Sequence, residues 1–146
     1  YYDLNAPFFS APSAFYRQLP AVPEALVQRC LGQSPITSGT REQRFSLYVH
    51  ARQTGQWLAL LGPEAGGPRF SLSEADLHRL PPLFIAASTG DRDVPYRVSK
   101  TLAHLAPAAR LHTVYYLEHD FDRDSSIPAG QQTYEDCLAW MHGLTE

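Results

Sequence analysis

The run Leu83-Phe84-Ile85-Ala86-Ala87 constrains the fold more than any other stretch of this chain. It follows Pro82 and stops at the polar turn Ser88-Thr89-Gly90. A strand with one wet face alternates polar and apolar side chains, whereas an unbroken apolar run fits a strand buried on both faces of a parallel sheet. Val98, Leu102 and Leu105 follow at helical spacing, and Pro107 ends that stripe. Leu111–Leu117 is then a second strand pattern, rich in Val and Tyr. Strand, helix, strand in this order predicts a right-handed parallel crossover. Tyr134, Cys137, Leu138 and Met141 mark a closing amphipathic helix.

The chain before Leu80 reads differently. Twelve Pro punctuate the sequence, and the helical patterns in this part are short. A strand end is expected at Tyr1–Leu4, followed by irregular, aromatic-rich chain to residue 22. Pro23 suits the first turn of a helix carrying Leu26, Val27, Cys30 and Leu31, which Gly32 stops. Thr40 with Gln43 has capping-box form. Phe45, Tyr48, Arg52, Trp57, Leu58 and Leu61 predict one bent helix or two short ones, with Gly55 as the weak point. Residues 62–67 read as a loop. Ser73 and Asp76 cap a turn of helix ending near Leu80.

Composition excludes several classes. With 146 residues, 44% hydrophobic, 12% aromatic and 18% charged, the chain carries enough apolar mass for a core and is not disordered. A net charge of −3 offers no basic surface for nucleic acid. No apolar run approaches the roughly 18 residues of a membrane span. Two Cys make no disulfide framework. Cys30 and Cys137 are expected as buried free thiols, which fits a reducing, cytoplasmic setting. The opening Tyr1-Tyr2-Asp3-Leu4 lacks the basic and apolar segments of a signal peptide. It reads as a start in the middle of a fold.

In parallel sheets, catalytic groups gather at the carboxyl ends of the strands. Two polar clusters fall there: Ser88 to Pro95, containing Asp91 and Asp93, and Glu118-His119-Asp120-Phe121. An acid after one strand and a His after the next can orient an imidazole and stabilise its charged form. His50, His78, His104 and His112 have no partner at metal-ligand spacing, His142 is close to the C-terminus, and none is taken as functional. No metal site is supported. The acids Asp120, Asp122 and Asp124 read as a solvated run, with a cation site or an extra acid as the alternative. Arg52 to Trp57 reads as a helix packing Trp57 onto a core, with the lining of an acyl pocket as the alternative.

The stretch from Leu83 to Tyr96, an apolar strand, a turn, Asp91, two residues, then Val94-Pro95 opening a helix, resembles the acid loop of α/β-hydrolase esterases. Val114 to Phe121, a strand and then His-x-Phe, resembles the histidine loop of the same family. The similarity is greatest to the carboxylesterase/lipase group of acetyl-esterase type and covers residues 80–142. It implies the C-terminal half of an α/β-hydrolase fold, with parallel strands, crossover helices and a mostly helical cap. Residues 1–4 would end a core strand, 5–79 would form the cap, and 80–146 would carry the acid and histidine loops. By the same resemblance Asp91 would be the triad acid and His119 the general base. Asp93 is the alternative acid, but just before Val94-Pro95 it better suits a helix N-cap accepting from the Tyr96 N–H.

The family order is Ser, acid, His. No Gly-x-Ser-x-Gly occurs here: Gly32-Gln33-Ser34 runs into Pro35-Ile36. The nucleophile is therefore expected on an absent N-terminal half, which would be a partner of this chain alongside a small ester substrate. No cofactor is implied, and self-association is expected. Two other readings stay open. One is a non-catalytic interaction module on the same half-fold. The other is a phosphate-binding α/β protein, but its only Gly turn, Thr89-Gly90-Asp91, is acidic.

Overall fold

A computed structural model of the chain describes residues 6–31, 39–62, 67, 71–124 and 126–145. The expected strand end at Tyr1–Leu4 and the helix stop at Gly32 lie outside these residues, as does most of the 62–67 loop. The chain divides into two compact units, with the boundary along the sequence between Ser71 and Leu72.

The N-terminal unit is helical. It contains α1 (Pro7–Ser10), a 3-10 turn (Tyr16–Gln18), α2 (Glu24–Leu31), α3 (Arg41–Thr54) and α4 (Trp57–Leu61). The α3 start is a capping box: Thr40 Oγ1 accepts from the Gln43 N–H, and Gln43 Oε1 accepts from the Thr40 N–H. Gly55 ends α3 at φ 75°, so the pattern after Phe45 is two helices and not one bent helix. A Cβ at Gly55 would fall 2.9 Å from both Pro12 Cδ and Ser10 O. Phe9, Tyr16, Val27, Cys30, Val49 and Ala51 are buried. Arg52 is buried with them, its guanidinium 4.4 Å from the Phe8 ring centre and within 6 Å of the Tyr16 and Tyr48 rings. Trp57 meets Tyr48 edge to face. Both side chains serve this unit's own packing.

The C-terminal unit holds α5 (Glu74–Leu77), β1 (Leu83–Ser88), α6 (Tyr96–Leu105), β2 (Ala109–Val114) and α7 (Pro128–His142). Ser73 and Asp76 form the expected capping box on α5. β1 and β2 pair in parallel, from Leu83 opposite Ala109 to Ser88 opposite Val114. Alternation puts Ile85, Ala87, Leu111 and Thr113 on one face, and Phe84, Ser88, His112 and Val114 on the other. The Tyr96 hydroxyl bonds Thr113 Oγ1 at 2.8 Å, which seats the start of α6 on the first face. On the second face Phe84 stacks on His112 and packs against Trp140 of α7, while His112 Nδ1 lies 3.2 Å from Asp136. The unit is thus a mixed α/β layer structure, matching a C-terminal part of the α/β-hydrolase fold.

Three expectations are corrected. The second strand is Ala109–Val114, not Leu111–Leu117, because Tyr115 and Tyr116 leave the ladder for solvent and Tyr116 turns at φ 63°. β1 is not buried on both faces throughout, since Ala86 is exposed. The apolar stripe of α7 does not face the sheet: Tyr134, Leu138 and Met141 are exposed, whereas Gly130 and Thr133 are buried and Trp140 packs inward. Cys137 is accordingly half-buried, while Cys30 is buried as expected. Among the described residues no helix is long and apolar enough to cross a membrane.

Candidate active site

The candidate site forms where the chain leaves β1 and β2, both within the C-terminal unit. Ser88, the last residue of β1, is 1% exposed and joins the two loops. Its hydroxyl donates to the Leu117 carbonyl at 2.6 Å and accepts from the N–H groups of Leu117 and Gly90. Thr89 Oγ1 accepts from the Tyr116 N–H at 3.0 Å. Backbone groups that a longer β2 would have placed in a ladder are satisfied by these hydroxyls instead. The loops lie so close at Gly90 that a Cβ there would stand 2.7 Å from Leu117 O and from Tyr116 C. Only glycine fits this approach.

The structure brings Asp91 and His119 together. Asp91 Oδ1 accepts from the N–H groups of Asp93 and Val94, each at 2.8 Å. Its other oxygen, Oδ2, lies 2.7 Å from His119 Nδ1. One carboxylate therefore both closes its own turn and orients the imidazole. A carboxylate oxygen only accepts, so the ring places its Nδ1–H toward Asp91. The side chain of Asp91 is 11% exposed and that of His119 is 42% exposed. The proton is thus held in a largely dry contact on a ring that solvent still reaches.

Asp93 does not play the expected capping part. The N-cap of α6 is Pro95, with no side-chain cap, and Asp91 takes the loop amides instead. After the histidine, Phe121 is buried and anchors the loop, while Gly130 of α7 lies so near that a Cβ would come within 2.8 Å of Phe121 O. Asp120 Oδ1 lies 3.4 Å from His119 Nε2, so this acid is not merely solvated. Asp122 accepts from the Tyr134 hydroxyl, which raises that phenol's pKa chiefly through this hydrogen bond. Asp124 closes a turn on the N–H and hydroxyl of Ser126.

The pKa of His119 is raised above its ordinary value. Burial pulls it down, but the Asp91 hydrogen bond and charge outweigh this, helped by Asp120 and Asp93. Asp91, Asp93 and His119 bring ligand-type atoms within 4.8 Å of one another. Both oxygens of Asp91 are already engaged by amides and imidazole, so a cation would have to break the His119 contact. The donor set suits holding a proton better than holding a metal. A cleft of about 190 Å³, lined by Ser88, Asp91, Val94, Ser99, His119 and Phe121 among others, opens beside the ring.

Of the other histidines, His50 is buried 3.9 Å from Glu24, His112 pairs with Asp136 on the α7 face, and His78, His104 and His142 are exposed. Sequence reasoning missed Ser88. Its only signal was a hydroxyl at the end of an apolar strand.

No protein-family model and no curated protein matches the chain. Two solved structures are similar to it. A protein of unknown function from Staphylococcus aureus subsp. aureus Mu50 is 27% identical with a TM-score of 0.84, over all of this chain and 54% of that one. An alpha/beta hydrolase superfamily protein from Enterococcus faecalis is 34% identical with a TM-score of 0.60, over 67% of this chain and 37% of that one. This chain therefore spans about half or less of each. The second likeness supports the α/β-hydrolase superfamily and no finer group within it.

Proposed function

We propose that this chain supplies the acid and the histidine of a Ser-His-Asp triad in a carboxylesterase-type hydrolase. The observation that carries this reading is the 2.7 Å contact between Asp91 Oδ2 and His119 Nδ1 at the carboxyl ends of two parallel strands. The nucleophilic Ser would lie on a preceding half of the fold, and residues 5–79 would form a helical cap segment. His119 Nε2 would take the Ser proton as the hydroxyl attacks the ester carbonyl, and would return it to the departing alcohol. Asp91 would keep the ring in the Nδ1–H tautomer and stabilise the imidazolium. The superfamily likeness of the Enterococcus faecalis protein supports hydrolysis as the reaction class.

The test has two parts. The 146-residue chain alone should not turn over a short-chain nitrophenyl ester above a His119→Ala control, because a triad works as a unit. Turnover blocked by a serine-directed phosphonate would overturn the placement of the nucleophile outside this chain. In a polypeptide that carries the preceding strands, Asp91→Asn and His119→Ala should each lower kcat by on the order of 10³-fold or more. Unchanged kcat in either variant would overturn the triad.

A further inference from the structure

Each ring nitrogen of His119 faces a carboxylate. Nδ1 meets Asp91, and Nε2 lies 3.4 Å from Asp120 Oδ1. Three features aim Asp120 at the ring. Its backbone stands at φ 57°, a left-handed conformation that costs energy outside glycine. Its second oxygen lies 3.2 Å from Arg123 Nη1, and its carbonyl accepts from the Arg123 N–H. The next residue, Phe121, is buried and fixes the loop behind it.

A neutral imidazole has one N–H. With that N–H on Nδ1 toward Asp91, a neutral ring would present the bare Nε2 lone pair to an Asp120 oxygen, acceptor against acceptor. A doubly protonated ring sets a hydrogen bond against Asp91 and a positive charge 3.4 Å from Asp120.

We propose that Asp120 is a positioning residue that holds the resting His119 as an imidazolium, closing Nε2 until that proton leaves and a hydroxyl takes the place of the carboxylate. The inference rests on the reading of His119 as the general base, because Nε2 is the nitrogen that must receive the nucleophile's proton. On release the Nε2 proton passes to water, the ring becomes neutral with Nδ1–H retained, and the Asp120 carboxylate keeps its ion pair with Arg123. The working base is thus populated at higher pH than it would be with a neutral residue at position 120. The charged groups facing the ring are Asp91 and Asp93 from the acid loop and Asp120 from its own loop, with Asp122 lining the same cleft. Arg123 reaches the ring only through Asp120, and Arg92 pairs with Glu118 at 3.5 Å.

Long-range nitrogen–proton NMR spectra of the 146-residue chain, with nitrogen-labelled histidine, provide the test. The His119 signals are assigned by their loss in His119→Ala. Asp120→Asn and Asp120→Gly both suit a left-handed backbone, so either can report if the other fails to fold. Both should shift the His119 titration midpoint to lower pH while leaving the neutral ring as the Nδ1–H tautomer. Midpoints equal to wild type in both variants would overturn the role of Asp120. Asp91→Asn separates the two ideas: it should lower the midpoint and abolish the tautomer preference. If Asp91→Asn acts so and the Asp120 variants do not, only the Asp120 inference fails. If Asp91→Asn changes neither quantity, the triad reading fails with it.

Discussion

At the residue scale, the division of labour within Asp91 explains why this acid, and not Asp93, meets the imidazole. Two amides fix Oδ1, and the geometry of the carboxylate then leaves Oδ2 facing His119. The raised pKa of His119 has a definite consequence for stability. A group whose folded pKa lies above its unfolded value stabilises the fold fully below the unfolded value, here 6.5, and loses that contribution as pH rises through the folded value. Urea unfolding of wild type and His119→Ala should therefore differ most in acid and converge in mild alkali. A gap that widens with pH would show the opposite linkage. Ser88→Ala should cost about 1–3 kcal/mol, because the half-buried N–H and carbonyl of Leu117 lose their partner. The measurement is the denaturation midpoint, with His119 NMR signals reporting whether the loops still meet.

At the element scale, local chemistry was legible where it is decided within a few residues. Both capping boxes, Thr40 with Gln43 and Ser73 with Asp76, followed from spacing alone. Gly55 was legible as the weak point, with one bent helix or two short ones left open, and the strand–helix–strand order gave the parallel pairing. What failed depended on contacts far apart in sequence. The Val and Tyr content favours a strand through Leu117, yet the hydroxyls of Ser88 and Thr89 draw the backbone at Tyr116 and Leu117 across the end of β1. Periodicity on α7 located the helix but not its inward face, since Trp140 packing on Phe84 selects the side carrying Gly130 and Thr133. Asp120 looked like one more exposed acid, and only the turn at φ 57° brings it to Nε2. The caps are open to a direct check. Thr40→Ala should destabilise the N-terminal unit by about 1 kcal/mol, with Thr40→Gly closer to wild type. A Thr40→Ala variant as stable as wild type would mean that the hydroxyl is not the stabilising group.

At the scale of the whole molecule, the apolar surface of the C-terminal unit outruns what its two strands and their helices cover. Tyr134, Leu138 and Met141 recur at positions i, i+4 and i+7 of α7, each at least 44% exposed. They form one stripe on a helix whose other side holds the sheet. Tyr115 and Tyr116 add further exposed rings past the end of β2. Scattered apolar residues are ordinary on a surface, but a continuous stripe along a helix marks a place of association. Among the described residues the parallel sheet has two strands, and sheet edges carry backbone groups that another chain can pair. The chain should therefore associate at micromolar concentration, with copies of itself or with a polypeptide that extends its sheet. Sedimentation velocity reads this directly, and Leu138→Glu combined with Met141→Glu separates the two sources of attraction. If the helix stripe drives association, the double variant should sediment as a monomer with its thermal unfolding retained. If the sheet edge drives it, the double variant should associate as wild type does. A sharp wild-type monomer that unfolds cooperatively and binds no hydrophobic dye would show that the C-terminal unit closes its own core, and that the stripe on α7 is surface and nothing more.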